Sequence, residues 1–160
     1  MEVETTQGDS FSFVESEHQV LKFWKEKKIF KKSLEQTLKK DPYIFYDGPP
    51  FATGLPHHGH LVGSVLKDVI PRYFTMKGRY VERRFGWDCH GLPIEHEIDK
   101  KLGMSAGDAV KKLGVKGYND ECRGIVQRYT SEWEKTITRI GRWVDFENDY
   151  KTMDLKFMES

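Results

Sequence analysis

The sequence predicts an α/β fold built on a parallel sheet. The aromatic and β-branched run at 43–46 has the composition of a strand, and a loop rich in Gly and Pro follows it. Between 60 and 77 the apolar positions recur about every four residues, as on one face of an amphipathic helix. A second strand is predicted over 80–85. Strand, glycine-rich loop, helix and strand in this order begin a parallel α/β unit.

The composition agrees with one globular domain and excludes several classes of protein. The chain has 160 residues, and its 26 basic and 25 acidic side chains nearly cancel, which argues against a polybasic protein held to nucleic acid by charge alone. No apolar run approaches the ~18 residues of a membrane span, and the polar start shows no secretory signal. The two cysteines form no CxxC pair, which excludes a disulfide scaffold and a four-thiolate zinc site and fits a reducing cytosol.

The N-terminal region is predicted to be a tail followed by helix. Residues 1–10 have the composition of a mobile tail, and Ser16 with Gln19 forms a candidate capping box at the start of a helix. Six lysines between 22 and 32 are interpreted as the solvated face of that helix, with contact to RNA as the alternative. Asp41-Pro42 ends the pattern.

The predicted helices after residue 60 have recognisable ends. Pro71 is expected to kink the helix over 60–77 or to end it early, and Gly78 is its predicted stop. A loop is predicted over 86–93, then a short helix over 94–102 that ends at Gly103. Another short helical turn over 108–113 precedes a long amphipathic helix over 118–140, which Gly141 closes. No element is predicted for 142–160.

Two loops are expected to share one crevice, because ligands of parallel sheets bind beyond the carboxyl ends of the strands. The loops are 47–60 and 86–93. The first lies at a helix N-terminus, whose unpaired N–H groups and partial positive charge attract anions. His57 and His60 could both donate to a phosphate there, and Gly59 would let a flat base approach the backbone. The alternatives for the three clustered histidines are a metal site and a purely structural cluster.

The motifs in these loops resemble those of the isoleucyl-tRNA synthetases, a family of class I aminoacyl-tRNA synthetases. HHGH at 57–60 resembles the HIGH signature, and YDGPPFATGLP at 46–56 and GWDCHGLPIE at 86–95 are similar to the blocks of that family. The resemblance covers about 17–160 and is closer to the eukaryotic cytosolic branch. It extends through the later positions Tyr129, Trp133, Glu134, Trp143, Met153, Phe157, Met158, Glu159 and Ser160.

The resemblance implies a fold class and a domain division. The fold is the class I Rossmann-like nucleotide-binding fold, of which residues 41–160 would be the first half. Residues 1–40 would be an N-terminal tail and helical extension. The implied activity joins isoleucine to ATP and transfers the aminoacyl group to tRNA(Ile) in the cytoplasm, with Mg²⁺ accompanying ATP and no metal bound by the protein itself. A multi-synthetase assembly is a further partner that the family allows.

The resemblance also implies roles for the residues of the ATP site. At the matching positions, His57 and His60 would contact the ATP phosphates and stabilise the charge that develops at the α-phosphate. Gly59 would pack beneath the adenine, and Thr53 and Gly54 would belong to the same site.

The amino-acid site implied by the resemblance uses three residues. Asp88 would pair with the α-ammonium group of isoleucine, and the backbone of Gly48 and Pro49 would line the same pocket. Without the resemblance, Asp88 is interpreted as a loop cap or surface carboxylate and Gly48-Pro49 as a tight turn. Cys89 is interpreted as a packing residue rather than a nucleophile.

The chain departs from the family pattern in two places. The KMSKS signature is absent, its nearest fragment being Met104-Ser105, and His58 replaces an apolar or aromatic residue. The chain is therefore expected to be an N-terminal part of a longer enzyme, unable to charge tRNA alone and binding ATP weakly. The competing hypotheses are a stand-alone HxGH nucleotidyltransferase and a truncated non-catalytic module that docks a partner through its lysine-rich helix.

Overall fold

The computed structural model describes residues 11–160, and the tail predicted over 1–10 lies outside the described residues. Within the described range the chain forms six helices and two strands. In chain order these are α1 Phe13–Lys27, α2 Ile29–Thr37, α3 His58–Met76, β1 Arg84–Trp87, α4 Leu92–Leu102, α5 Ala106–Arg139, β2 Asp145–Lys151 and α6 Leu155–Met158.

The sheet is parallel, in agreement with the predicted α/β class. β1 pairs with β2, with Gly86 opposite Tyr150 and Trp87 opposite Lys151. Two isolated parallel bridges lie outside these strands, Pro42 with Tyr80 and Phe51 with Asp88. Helices α4 and α5 form the crossover between β1 and β2, as a parallel pair requires.

Two strand predictions are wrong, and a third strand is not predicted at all. Residues 43–46 are not a strand, and Ile44 and Tyr46 are 68% and 92% exposed. The predicted strand over 80–85 begins only at Arg84 and runs through Trp87, into the predicted loop. β2 was not predicted, because DFENDYK is polar and lacks an alternating apolar pattern. In each case the backbone of a partner strand, and not local composition, decides where pairing occurs.

One predicted helix start is wrong in detail, and one of the two outcomes expected at Pro71 is excluded. α1 begins earlier than Ser16, because the Ser12 hydroxyl accepts the N–H of Glu15 at 3.3 Å and caps it. α3 does not end at Pro71 but continues to Met76. Pro71 deprives the helix of one N–H donor, and its carbonyl accepts hydrogen bonds from Arg83 Nη2 at 3.0 Å and from Thr75 Oγ1 at 2.8 Å.

The predicted helix ends are confirmed. Gly78 and Gly141 follow α3 and α5 with φ of +81° and +77°, a region that favours glycine. Gly103 ends α4 in the same way. α5 breaks at Gly114, where φ is 73° and ψ is 164°, so it consists of two helical segments that match the two predicted over 108–113 and 118–140.

The main hydrophobic core lies directly beneath the two loops of the predicted crevice. It joins the strand residues Phe85 and Trp87 to the inner face of α5, and it includes Ala52 from the first loop and Cys89 as well as Trp87 from the second. Its buried members are Ala52, Phe85, Trp87, Cys89, Ile94, Val126, Trp133, Ile137 and Val144. Both loops are therefore seated on the same packed layer.

Candidate active site

The structure brings the two loops side by side. The Ala52 N–H donates to the Asp88 carbonyl at 3.2 Å, and the Asp88 N–H donates to the Pro50 carbonyl at 2.8 Å. These two backbone hydrogen bonds join the first loop, 47–60, to the second, 86–93. The loops therefore border a common crevice, as the order of elements predicts.

The two histidines of the first loop form a reciprocal cap at the start of α3. Nδ1 of His57 accepts the backbone N–H of His60 at 3.4 Å, and Nδ1 of His60 accepts that of His57 at 3.2 Å. Their rings stack with centroids 3.6 Å apart. Because each Nδ1 is an acceptor, each neutral imidazole carries its proton on Nε2. The pair thus keeps two Nε2–H donors at the N-terminus of a 19-residue helix.

The surroundings of His60 favour its neutral form. Burial lowers the pKa of His60 below its usual 6.5, and the charges of His57 and Lys67 lower it further. Gly59 lies against His57, and a Cβ at this position would come within 3.0 Å of His57 Cε1. The His58 side chain is exposed.

A cavity of about 350 Å³ opens beside the cap. Gly48 and Pro49, predicted for the amino acid, line it together with Gly59 and His60, predicted for ATP. The other predicted residues, namely Thr53, Gly54, His57 and Asp88, are not part of this lining within the described residues. Four of the eight predicted site residues therefore share one cavity, and Asp88 is joined to it through the backbone bonds of the loops.

Asp88 makes the loop-capping contact that the residue type alone suggests. Its Oδ1 accepts the His90 N–H at 3.4 Å. Within the described residues the Asp88 side chain has no other hydrogen bond from the protein, so its Oδ2 is unpaired. A carboxylate with one capping oxygen and one unpaired oxygen can still accept a hydrogen bond from an ammonium group.

A charge network that sequence analysis did not identify supports the first loop. The Asp47 carboxylate pairs with Lys67 Nζ at 2.6 Å and with Arg142 Nη2. Lys67 Nζ also donates to the Gly48 carbonyl at 2.7 Å. The Tyr150 hydroxyl donates to the Asp47 carbonyl at 3.1 Å. Arg142 lies 95 positions after Asp47, so no local spacing pattern could indicate this pair.

The second loop is held by Thr152, just after β2. The Cys89 N–H donates to Thr152 Oγ1 at 2.9 Å, and His90 Nε2 lies 2.8 Å from the Thr152 carbonyl oxygen. Cys89 itself is buried, and burial raises the pKa of its thiol, which agrees with the predicted packing role.

Among 11–160 there is no group of three or more His, Cys, Asp or Glu side chains placed to hold a metal ion. None of the helices in this range has the length and apolar character needed to cross a membrane.

Residues 19–160 match the family described as tRNA synthetases class I (I, L, M and V). The chain is 60% identical to the cytoplasmic isoleucine–tRNA ligase of Arabidopsis thaliana, over 98% of this chain and 13% of that protein. It is also 60% identical to the isoleucine–tRNA ligase of Chlamydia pneumoniae, over 93% of this chain and 14% of that protein. The chain thus spans about one-seventh of the length of these relatives. Because plant and bacterial relatives are equally similar, the identities do not distinguish the predicted eukaryotic branch.

A solved structure has a similar fold. The LeuRS of Agrobacterium radiobacter K84, in a ternary complex with tRNA and LeuAMS, superposes with a TM-score of 0.64 at 19% identity. The match covers 88% of this chain and 16% of that one. This likeness supports the class I synthetase fold for the described residues.

Proposed function

This chain belongs to the class I tRNA synthetases (I, L, M and V), and from that premise we propose that it carries the HIGH half of the active site of an isoleucine–tRNA ligase. The observation that carries the proposal is the 60% identity to isoleucine–tRNA ligases over nearly the whole chain. The adjoining loops 47–60 and 86–93 support it, because they hold the family blocks in one crevice.

The proposed reaction activates isoleucine with ATP and transfers it to tRNA(Ile). In this proposal residues 41–160 are the first half of the catalytic domain and residues 1–40 precede it as a tail and helical extension. The enzyme acts in the cytoplasm, and its eukaryotic cytosolic type, rather than a bacterial one, remains part of the proposal. Mg²⁺ arrives with ATP and is not held by a site of the protein.

The proposed ATP site uses the reciprocal histidine cap. The Nε2–H groups of His57 and His60 donate to phosphate oxygens and stabilise the charge that develops at the α-phosphate, which is electrostatic stabilisation of the transition state. Thr53 and Gly54 contribute to the same site, and Gly59 packs beneath the adenine. The fit is supported by the positive end of α3, on which the cap lies.

The proposed amino-acid site lies where the cavity meets the second loop, whose Gly86 is part of the cavity lining. Asp88 binds the ammonium group of isoleucine through its unpaired Oδ2, and the backbone of Gly48 and Pro49 lines the pocket. The stand-alone nucleotidyltransferase is not favoured, because the identities extend through the second loop and on to the end of the chain. A non-catalytic module is not favoured for the same reason.

A chimeric enzyme tests the proposal directly. This chain would replace the aligned 150-residue segment of the cytoplasmic isoleucine–tRNA ligase of Saccharomyces cerevisiae, to which it is 59% identical. We expect isoleucine-dependent exchange of pyrophosphate into ATP. The His60→Ala chimera should lose about 100-fold or more of that rate, the usual cost of a donor to a developing negative charge.

The matched control is His58→Ala in the same chimera, because His58 is an exposed neighbour with no part in the cap. It should retain the exchange rate of the unaltered chimera. Equal rates for the two variants, or exchange that does not depend on isoleucine, would contradict the proposal. Thermal melts of both variants establish that each is folded.

A further inference from the structure

One tryptophan of α5 contacts the first loop from the side of the hydrophobic core. Trp133 is 2% exposed, and its indole Nε1–H donates to the Gly54 carbonyl at 2.8 Å. Gly54 lies outside any helix or strand and has a φ of +95°. Its carbonyl therefore has no place in the hydrogen-bond pattern of a helix or a sheet. The indole supplies that donor from 79 positions further along the chain.

The ring of the same tryptophan contacts a histidine of the cap. The centroids of Trp133 and His60 lie 4.8 Å apart, with 58° between the ring planes. His57 stacks on His60 at 3.6 Å. His60 is thus held by two rings as well as by its own backbone bond.

Trp133 also reaches the strand that leads into the second loop. Its ring meets Trp87 edge-on at 5.8 Å and Phe85 at 6.3 Å. Trp87 directly precedes Asp88. A single rigid side chain therefore connects the Gly54 backbone, the His60 ring and the end of β1.

We propose that Trp133 is a positioning residue of the ATP site, fixing Gly54 through its indole N–H and His60 through its ring. The inference rests on the proposed function, because it assigns Gly54 and His60 to ATP. Trp133 acts through these two residues and not on the reacting atoms. The physical reason is that a buried carbonyl without a hydrogen-bond donor costs free energy. If the Gly54 carbonyl lost the indole N–H, we expect the first loop to shift so that this carbonyl regains a partner.

The test is Trp133→Phe in the chimera described above, since phenylalanine keeps an aromatic ring in the core but has no N–H. We expect the KM for ATP to rise about tenfold, in line with the loss of a partly buried hydrogen bond. The KM for isoleucine should stay within about twofold, because the ring contact with Trp87 is retained. A merely structural role would not separate the two substrates.

The chain offers a matched control in Trp143→Phe. The Trp143 indole N–H is buried and has no hydrogen-bond partner within the described residues, so the same substitution removes no hydrogen bond there. Both KM values should stay within about twofold of the unaltered chimera. The inference is overturned if Trp133→Phe matches this control or raises both KM values equally.

A second measurement keeps the outcome clear if the chimera is inactive. If the unaltered chimera shows no isoleucine-dependent exchange, the proposed function is contradicted. The contact between the Trp133 and His60 rings is tested separately, in this chain without the rest of the chimera. A protonated imidazole in contact with an indole quenches its fluorescence, so Trp133 should brighten as His60 loses its proton. His57 and Lys67 are the other charged groups that act on His60. The brightening should vanish in both His60→Ala and Trp133→Phe, and its persistence in either variant overturns the inference.

Discussion

The two loops of the crevice are held in place by different means. The first, 47–60, depends on side chains that arrive from other elements, namely Lys67 from α3, Trp133 from α5 and Arg142 after it. The second, 86–93, begins inside the sheet and is held by Thr152, which continues β2, and by the two backbone hydrogen bonds that join Asp88 to the first loop. The position of the first loop therefore depends on single side chains from distant parts of the chain, whereas the position of the second loop depends mainly on the backbone of the sheet.

The largest effect is expected from a substitution that removes the ion pairs supporting the first loop. Asp47→Asn removes the charge that faces Arg142, whose side chain is 5% exposed, and Lys67. Leaving one member of a buried ion pair unpaired costs about 3–5 kcal/mol. We expect a loss of this size in the free energy of unfolding, measured with urea.

The control for that substitution is Asp41→Asn. Asp41 pairs with Arg79 at 3.1 Å, but the two side chains are 84% and 48% exposed. Exposed pairs contribute less than about 1 kcal/mol. If both variants lose the same stability, the buried network does not support the first loop.

An intermediate effect should be confined to the second loop. Thr152→Val removes the hydroxyl that accepts the Cys89 N–H, and the loss of such a bond costs about 1 kcal/mol. Thr152→Ser keeps the hydroxyl and should restore most of the stability. Amide hydrogen exchange should speed up at Cys89 in the valine variant alone. Faster exchange at Gly54 as well would mean that the loops are not held independently.

The smallest expected effect is a pH dependence that involves the first loop. Because the pKa of His60 is lowered in the folded chain, the unfolded chain binds this proton more readily. Stability is therefore lost as the pH falls below the usual 6.5 of histidine towards the lower folded value. Urea unfolding from about pH 7 to about pH 5 should show a shallower decline for His60→Ala than for His58→Ala. Parallel declines would show that His60 does not contribute.

The sequence predicts the parts of this molecule that are encoded locally. The helical spacing of α3 and the glycines at 78, 103 and 141 are local signals, and the structure contains the helix and the three glycine ends. The loops 47–60 and 86–93 were identified in the same way, by composition and by family motifs. Each of these depends on residues that are close together in the chain. The expectation that the apolar face of α3 packs on a core is wrong, because Val62, Leu66 and Val69 are exposed within the described residues.

The features that were missed depend on residues far apart. Residues 43–46 have strand composition but form no strand, and β2 forms one without the composition, because pairing is set by a partner elsewhere. The bond from Trp133 to Gly54 and the pair between Arg142 and Asp47 span 79 and 95 positions. No periodicity connects such residues, so the supports of the candidate site became visible only in the fold.

The long separation of these contacts has a consequence for biosynthesis. Residues 47–60 leave the ribosome well before Trp133 and Arg142 exist, so the first loop at first has neither the indole that bonds Gly54 nor the arginine that pairs with Asp47. Closing loops of this size costs chain entropy before any contact compensates it, and native pairings of high contact order form slowly. The crevice should therefore organise late, after translation has passed β2.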